Sequence, residues 1–343
     1  MLEFHSHLEK IMAAEELRFD PTPAFGQYNS FLKQALPHPA KANTKLLKFL
    51  IEHFTKEGDT ILDPMCGSGS TGIVAAVHAR NAVQIDIEEK FIKWAEEAKA
   101  KVERQAVFSK KGKITNVCGD ARRLSELLKE VDVVLTSPPY SKTLNESKNT
   151  TSNLKRAERL KTAGHEPKNF FGGSARNCQL EDGLRYSHDS SNIGNLPHGE
   201  VDAVITSPPY EGSLEGGSRH TKGGIASRDP ALAQTVGYSP DKENIGNLKK
   251  ETYLEAMFKC YQEMWKVLKS NGLCIIIIKP FIRNRTVVDL PWHTWLLLEK
   301  VGFKLAKLYK LRLKNPSFWR ILYTKKYPEV PEIKHEYVLV CQK

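Results

Sequence analysis

The chain has 343 residues, 40% apolar and 27% charged, an ordinary globular composition, long enough for one large α/β domain or two small ones. Lys and Arg outnumber Asp and Glu by 51 to 40, for a formal charge of +11; this admits either a polyanionic partner or a plain solvated basic surface and decides nothing about fold. Six scattered cysteines without a CxxC pair argue for reduced thiols and against a metal site, and no apolar run is long enough to span a bilayer, so a cytoplasmic protein without membrane or metal is expected.

Residues 1–36 read as a mixed N-terminal extension with a short helix around His7–Leu17. His38-Pro39-Ala40-Lys41 follows. Asn43 or Thr44 then caps a helix whose apolar face is Leu46, Leu47, Phe49, Leu50, Ile51 and Phe54. A short strand, Thr60–Asp63, runs into Pro64-Met65-Cys66-Gly67-Ser68-Gly69, with a small-residue helix directly after it. Glycines there let a ligand approach the backbone, and a helix start offers free N–H groups. The absence of Gly-Lys-Ser/Thr argues against a triphosphate; Asp63 at the strand end suits a cationic or polar ligand.

A second strand ends at Asp86, about 20 residues on, where a doubly wound fold places a carboxylate on ribose hydroxyls; the other reading of Asp86 is a helix N-cap. The helix after it is amphipathic. A third strand, Ile114–Val117, ends at Cys118-Gly119-Asp120-Ala121. Strands alternating with helices, each with an acid or a special turn at its C-terminal end, predict a mostly parallel Rossmann-like sheet with ligands at that edge.

The next strand is written twice. Val131–Tyr140 reads VDVVLTSPPY and Val201–Tyr210 reads VDAVITSPPY. Each is a β-branched run closed by a Ser-Pro-Pro-aromatic turn, whose prolines fix φ and remove donors, leaving carbonyls to face a ligand. Between and after the copies the chain is polar, and a second similarity appears: Asn192-Ile193-Gly194-Asn195-Leu196 recurs as Asn244-Ile245-Gly246-Asn247-Leu248. The duplicated unit therefore includes a variable loop. The sequence divides into the extension 1–36, a core of 37–140 and 253–343, and an insert over 141–252 that carries the duplicated unit and is expected to bind the acceptor. One sheet has one slot for this strand; spacing from Asp120 favours the first copy, while the second stands nearer the following helix (253–269) and strand (273–278). Lys279–Arg285 reads as a basic loop at the ligand edge, and Trp292–Val301 as a helix before two last strands, Phe303–Leu313 and Tyr337–Val340.

These residues resemble the S-adenosylmethionine-dependent amino methyltransferases that act on cytosine N4 or adenine N6 of nucleic acids. The resemblance rests on His38–Lys41, the DPMCGSGST turn, Asp86, Asp120 and TSPPY. It implies a Rossmann-like class I methyltransferase fold and S-adenosyl-L-methionine bound by Lys41, Asp63, Pro64, Cys66, Gly67, Ser68, Gly69, Asp86, Asp120 and Ala121. It implies catalysis at Ser137, Pro138, Pro139 and Tyr140, or at Ser207, Pro208, Pro209 and Tyr210. A Ser oxygen and a proline carbonyl would accept from the amine, and the Tyr would stack on the base. Ser at the first turn position leans toward cytosine N4, and the short spacing from the cofactor turn to the first TSPPY leans toward RNA, with an rRNA-type or dimethylated product considered. Basic loops 153–161 and 279–285 would contact phosphates. The alternatives are a DNA N4-cytosine or N6-adenine enzyme and a non-catalytic nucleic-acid-binding module of the same fold.

Overall fold

The computed structural model describes residues 3–19, 25–38, 41–105, 110–128, 201–209, 244–248, 250–313, 322–323 and 325–343. The first TSPPY copy, Tyr210, Pro39, Ala40 and the basic stretch 153–161 lie outside these residues. Residues 1–129 and 197–343 belong to one compact unit.

In chain order the elements are α1 (Leu8–Ile11), β1 (Glu15–Leu17), α2 (Asn29–Leu32), α3 (Thr44–Phe54), β2 (Thr60–Asp63), α4 (Ser70–Val77), β3 (Asn81–Asp86), α5 (Glu89–Arg104), β4 (Ile114–Cys118), β5 (Val201–Thr206), α6 (Lys250–Val267), β6 (Leu268–Ile278), β7 (Phe281–Arg283), β8 (Thr286–Val288), α7 (Leu290–Val301), β9 (Lys304–Arg312) and β10 (His335–Gln342). Eight strands form one sheet in the order β1-β9-β10-β6-β5-β2-β3-β4. Every neighbouring pair is parallel except the two made by β10. This is the mostly parallel Rossmann-like architecture that the sequence predicts.

The central strands β5, β6 and β10 are buried on both sides over most of their length, so their inner residues are apolar and do not alternate, while β9 nearer the edge also carries Lys304, Lys307 and Lys310. Val204, Cys274, Ile276, Tyr337 and Leu339 face a core shared with Tyr253, Met257, Tyr261 and Met264 of α6. Ile205, Ile275, Ile277, Val338 and Val340 face the opposite core, with Leu46, Leu47, Leu50 and Ile51 of α3 and Ala98 and Val102 of α5. Asn43 is the cap of α3, its side chain accepting from the backbone N–H groups of Lys45 and Leu46, and Asp289 caps α7 through Trp292 N.

Three expectations change. The slot beside β2, which spacing favours for the first TSPPY copy, is held by the second: β5 lies between β2 and β6. Asp202 fixes it there, accepting from Thr60 N of β2 at 2.9 Å and from Lys269 Nζ of β6 at 2.6 Å. Residues 201–206 are thus part of the core sheet and not of an insert over 141–252; their continuous apolar run is buried among neighbours despite the polar sequence on either side. The N-terminal stretch also joins the core. The helix expected over 7–17 stops at Ile11, and Glu15–Leu17 adds a parallel edge strand to β9. Finally, β6 begins at Leu268, with the turn expected at 270–272 absorbed as an irregular start containing Asn271 at φ +65°.

Candidate active site

The strand order reverses between β2 and β5, the point where open α/β sheets place ligands beyond the strands' C-terminal ends. A cavity of about 530 Å³ opens there. Nine of the ten expected cofactor residues line it: Lys41, Asp63, Pro64, Cys66, Gly67, Ser68, Asp86, Asp120 and Ala121. Ser207, Pro208 and Pro209 line the same cavity.

The turn after β2 is shaped by two left-handed glycines. Gly67 has φ +49° and Gly69 φ +73°. Gly69 is not on the cavity wall; it supplies the bend that starts α4. At Gly67 a Cβ would stand 2.8 Å from His38 Nε2, so the glycine is needed for close approach as well as for φ. His38 is buried and packs its ring on Phe91, centroids 4.6 Å apart. Below the turn runs a chain of amides. Gly72 N donates to Gln84 Oε1 at 3.0 Å, Gln84 Nε2 to Asn116 Oδ1 at 2.7 Å, and Asn116 Nδ2 to Glu96 Oε1 at 2.8 Å.

Two buried carboxylates face the cavity. Asp63 accepts from Thr71 Oγ1 at 2.6 Å and Met65 N at 3.2 Å. Burial pushes its carboxyl up to about 6 against these bonds. The Thr206 hydroxyl also leans on Asp63, but it falls short of hydrogen-bond geometry and is buried without a partner. Asp86 accepts from Gly67 N at 2.8 Å and Glu88 N at 2.9 Å. Its carboxyl is pushed up to about 7, by burial first and then by the neighbouring Asp63 and Glu88 charges. The N-cap of α5 is Glu88, not Asp86. Both aspartates are thus held as acceptors in a low-dielectric setting, where a cation or hydroxyl donor gains most.

The remaining cofactor candidates behave differently. Lys41 Nζ donates to His38 O at 2.6 Å and Leu36 O at 3.1 Å, so the ammonium ties down its own loop. Asp120 is gripped by Arg122, whose Nε and Nη2 approach to 2.8 and 2.5 Å. The Cys66 thiol is pushed well up by burial and by Asp86 and Asp63, which keeps it neutral and unsuited to nucleophilic attack.

On the facing wall, Pro209 O accepts from Tyr253 Oη at 2.9 Å. Among the described residues, no donor is assigned to the Ser207 or Pro208 carbonyl. Asn244 and Ile245 also line the cavity. Asn244 donates to Glu88 Oε1 at 3.0 Å and accepts from Gly246 N at 3.1 Å, which joins the Asn-Ile-Gly segment to the loop after β3. The sequence points to an acceptor-binding insert that contains this segment but singles out neither Asn244 nor Tyr253. The signal for Asn244 was there, in its recurrence with Ile245 and Gly246; Tyr253 looked like one more apolar-face residue of a helix.

Residues 21–97 match the family model described as DNA methylase. That span holds Lys41, the glycine turn and Asp86, and ends before Asp120 and both TSPPY copies. The chain is similar to a type II methyltransferase, M2.DpnII, of Streptococcus pneumoniae, 46% identical over 63 residues, 18% of this chain and 24% of the relative. It is also similar to the DNA adenine methyltransferase YhdJ of Escherichia coli, 33% identical over 24% of this chain and 33% of the relative. A tRNA (guanine(6)-N2)-methyltransferase of Methanocaldococcus jannaschii is 28% identical over 137 residues, 30% of this chain and 36% of the relative. The matches span a quarter to a third or so of these relatives' lengths, so the likeness is to a part of each.

Proposed function

We propose that the chain is an S-adenosyl-L-methionine-dependent methyltransferase acting on the exocyclic amine of a nucleic-acid base, with cytosine N4 as the position. One observation carries this reading: the glycine turn with its two buried aspartates and the Ser207-Pro208-Pro209 turn share one cavity at the switch point of the sheet. The match of residues 21–97 to a methylase family supports the cofactor half.

S-adenosyl-L-methionine suits this donor set. Asp63 offers a buried carboxylate for the ammonium of its amino-acid tail, the Gly67 turn lines the same cavity, and Asp86 offers acceptors for ribose hydroxyls. When bound, the cofactor supplies an electrophilic methyl group on a sulfonium. The protein's part is to position the acceptor. An exocyclic cytosine amine is a weak nucleophile because its lone pair is conjugated into the ring. Ser207 Oγ and the Pro208 carbonyl would accept its two N–H bonds and localise that lone pair, an effect of orientation and electrostatics with no covalent intermediate. The Pro209 carbonyl is already engaged by Tyr253, so Pro208 is the proline assigned this role. The second TSPPY copy is therefore the proposed catalytic one.

For the acceptor, RNA is the first reading, as the family resemblance implies, and a tRNA enzyme acting on guanine N2 is among the relatives. The argument from short spacing falls away, because the turn that lines the cavity begins at Ser207 and not at Ser137. DNA is the second reading, supported by the matched family's description and by YhdJ. Incubation with methyl-labelled cofactor and either unmodified RNA or DNA, followed by nucleoside analysis, tests both. N4-methylcytidine in RNA is expected. Label confined to DNA overturns the RNA reading, label on adenine N6 overturns the target position, and label in neither polymer overturns the activity.

A further inference from the structure

We infer that the β7–β8 hairpin anchors the sugar–phosphate backbone of the acceptor strand, with Arg285 at its tip as the principal contact. The inference rests on the nucleic-acid reading above and adds to it a surface and a residue. The hairpin pairs Phe281 with Val288, Ile282 with Val287 and Arg283 with Thr286, so Asn284-Arg285 is a two-residue connection. Both connecting residues are left-handed, at φ +49° and +61°. This is the turn that suits the twist of paired strands, and it is normally filled by Asn-Gly. Asn284 fits that pattern. Arg285 stands where glycine would be free of strain, and its Cβ is crowded against the backbone in this conformation. The residue is exposed, so core packing does not require it. Strain kept at an exposed tip points to use of the side chain.

The surroundings of that side chain fit a phosphate contact. The Arg285 guanidinium lies over the Tyr327 ring, 4.4 Å from its centroid, and Lys326 Nζ stands 5.4 Å from the same ring. Tyr327 is itself held by Tyr323, centroids 4.9 Å apart. A guanidinium resting on an aromatic face keeps its N–H edges available and loses less freedom when they bind. Among the described residues no carboxylate forms an ion pair with Arg285, Lys325 or Lys326. The hairpin starts just after Lys279 and Pro280, at the C-terminal end of β6, and Lys279 lines the cavity. The anchor thus rises from the sheet edge that carries the Ser207 turn, where an acceptor strand has to pass.

The test is fluorescence anisotropy on the full chain with a labelled mixed-sequence single-stranded RNA, and with DNA of the same sequence, over a salt series. Arg285→Gly is the informative variant because it removes the charge and the strain together. The melting temperature is expected to hold or rise, affinity to fall about 3- to 10-fold, and the salt dependence to lose about 0.7 in log–log slope, one phosphate contact on a single strand. Tyr327→Leu, which frees the guanidinium, should weaken binding less and leave the slope unchanged. Unchanged affinity and slope in Arg285→Gly overturn the inference. So does weaker binding accompanied by a lower melting temperature and an unchanged slope, the mark of a structural role. Failure of the unaltered protein to bind either polymer counts instead against the nucleic-acid reading.

Discussion

Tyr253 on α6 donates its phenolic hydrogen to the carbonyl of Pro209, 2.9 Å away, tying the Ser-Pro-Pro turn to the core helix. The tyrosine is buried, with 1% of its surface exposed. Its ring packs in the core while its hydroxyl sets the orientation of a turn on which catalysis is proposed to depend. Tyr253→Phe keeps the ring and removes only the donor. A hydrogen bond of this kind contributes about 1 kcal/mol, so the turnover rate should fall about fivefold. The Michaelis constant for the cofactor should not move, because the bond lies on the acceptor side. A fall in cofactor affinity with unchanged turnover would place Tyr253 elsewhere in the mechanism.

The assignment of the second TSPPY copy is tested by paired serine variants. Ser207→Ala removes one acceptor aimed at the substrate amine and should cost about 100-fold in turnover, the scale of losing one preorganised polar contact at a reacting centre. Ser137→Ala should leave the rate near that of the unaltered protein. Equal losses in the two, measured by labelled methyl transfer, would mean that both turns take part.

Asp63 and Asp86 predict a pH dependence. Their carboxyls sit at about 6 and about 7 in the folded protein, raised mainly by burial. The folded chain therefore keeps protons that an unfolded chain releases near pH ~4. Stability from this source is full below that pH and is lost as pH rises through ~6 and ~7. His78 and His335, whose protonation burial disfavours, act in the opposite sense over the acidic part of that window. The measurement is therefore a difference. Between pH ~5.5 and ~8 the melting temperature of the cofactor-free protein should fall more than that of Asp86→Asn. Cofactor affinity should rise over the same range, since the ionised carboxylates are the better acceptors. Parallel curves for the two proteins would refute the burial argument.

Gly72 offers a test of the scaffold under the site. A Cβ there would lie 2.3 Å from Gln84 Cδ and 2.5 Å from its Nε2. Gln84 is fully buried and linked to Asn116 and Gly72, so it has no room to yield. Gly72→Ala should destabilise the protein by about 1–3 kcal/mol, the usual cost of overpacking, seen as a lower denaturation midpoint. An unchanged midpoint would mean that the amide chain rearranges freely.

Much of the fold was legible because the strands carry β-branched runs ending in marked turns. Thr60–Asp63, Asn81–Asp86 and Ile114–Cys118 each close on residues that line the cavity, and the parallel order follows from strands alternating with helices. That the expected cofactor residues would meet at one cavity was readable for the same reason. Which TSPPY strand enters the sheet was not, since the two copies share their apolar pattern and differ only in long-range pairing. The anchors of β5, Thr60 N and Lys269 Nζ on Asp202, come from opposite sides in sequence. The grip of Arg122 on Asp120 was missed because a carboxylate two residues from an arginine says nothing of which group it meets. Glu15–Leu17 was read as helix because local propensity gave no warning of the exposed edge of β9 that captures it.

The position of β5 has an evolutionary and kinetic consequence. Among the described residues, the strand that follows β4, ending at Cys118, is β5, starting at Val201, and the two do not pair. Closing a long connection costs little more than closing a short one, about 0.6 kcal/mol for each doubling of its length. Insertions or losses between those two strands are therefore nearly neutral for the sheet, while the neighbouring strands stay fixed by Asp202. The β2–β3–β4 half can assemble from near-neighbour segments, and β5 must then be recruited from far along the chain. Changes of length in that interval would leave the β2–β3–β4 half, with its glycine turn and two buried aspartates, as it is.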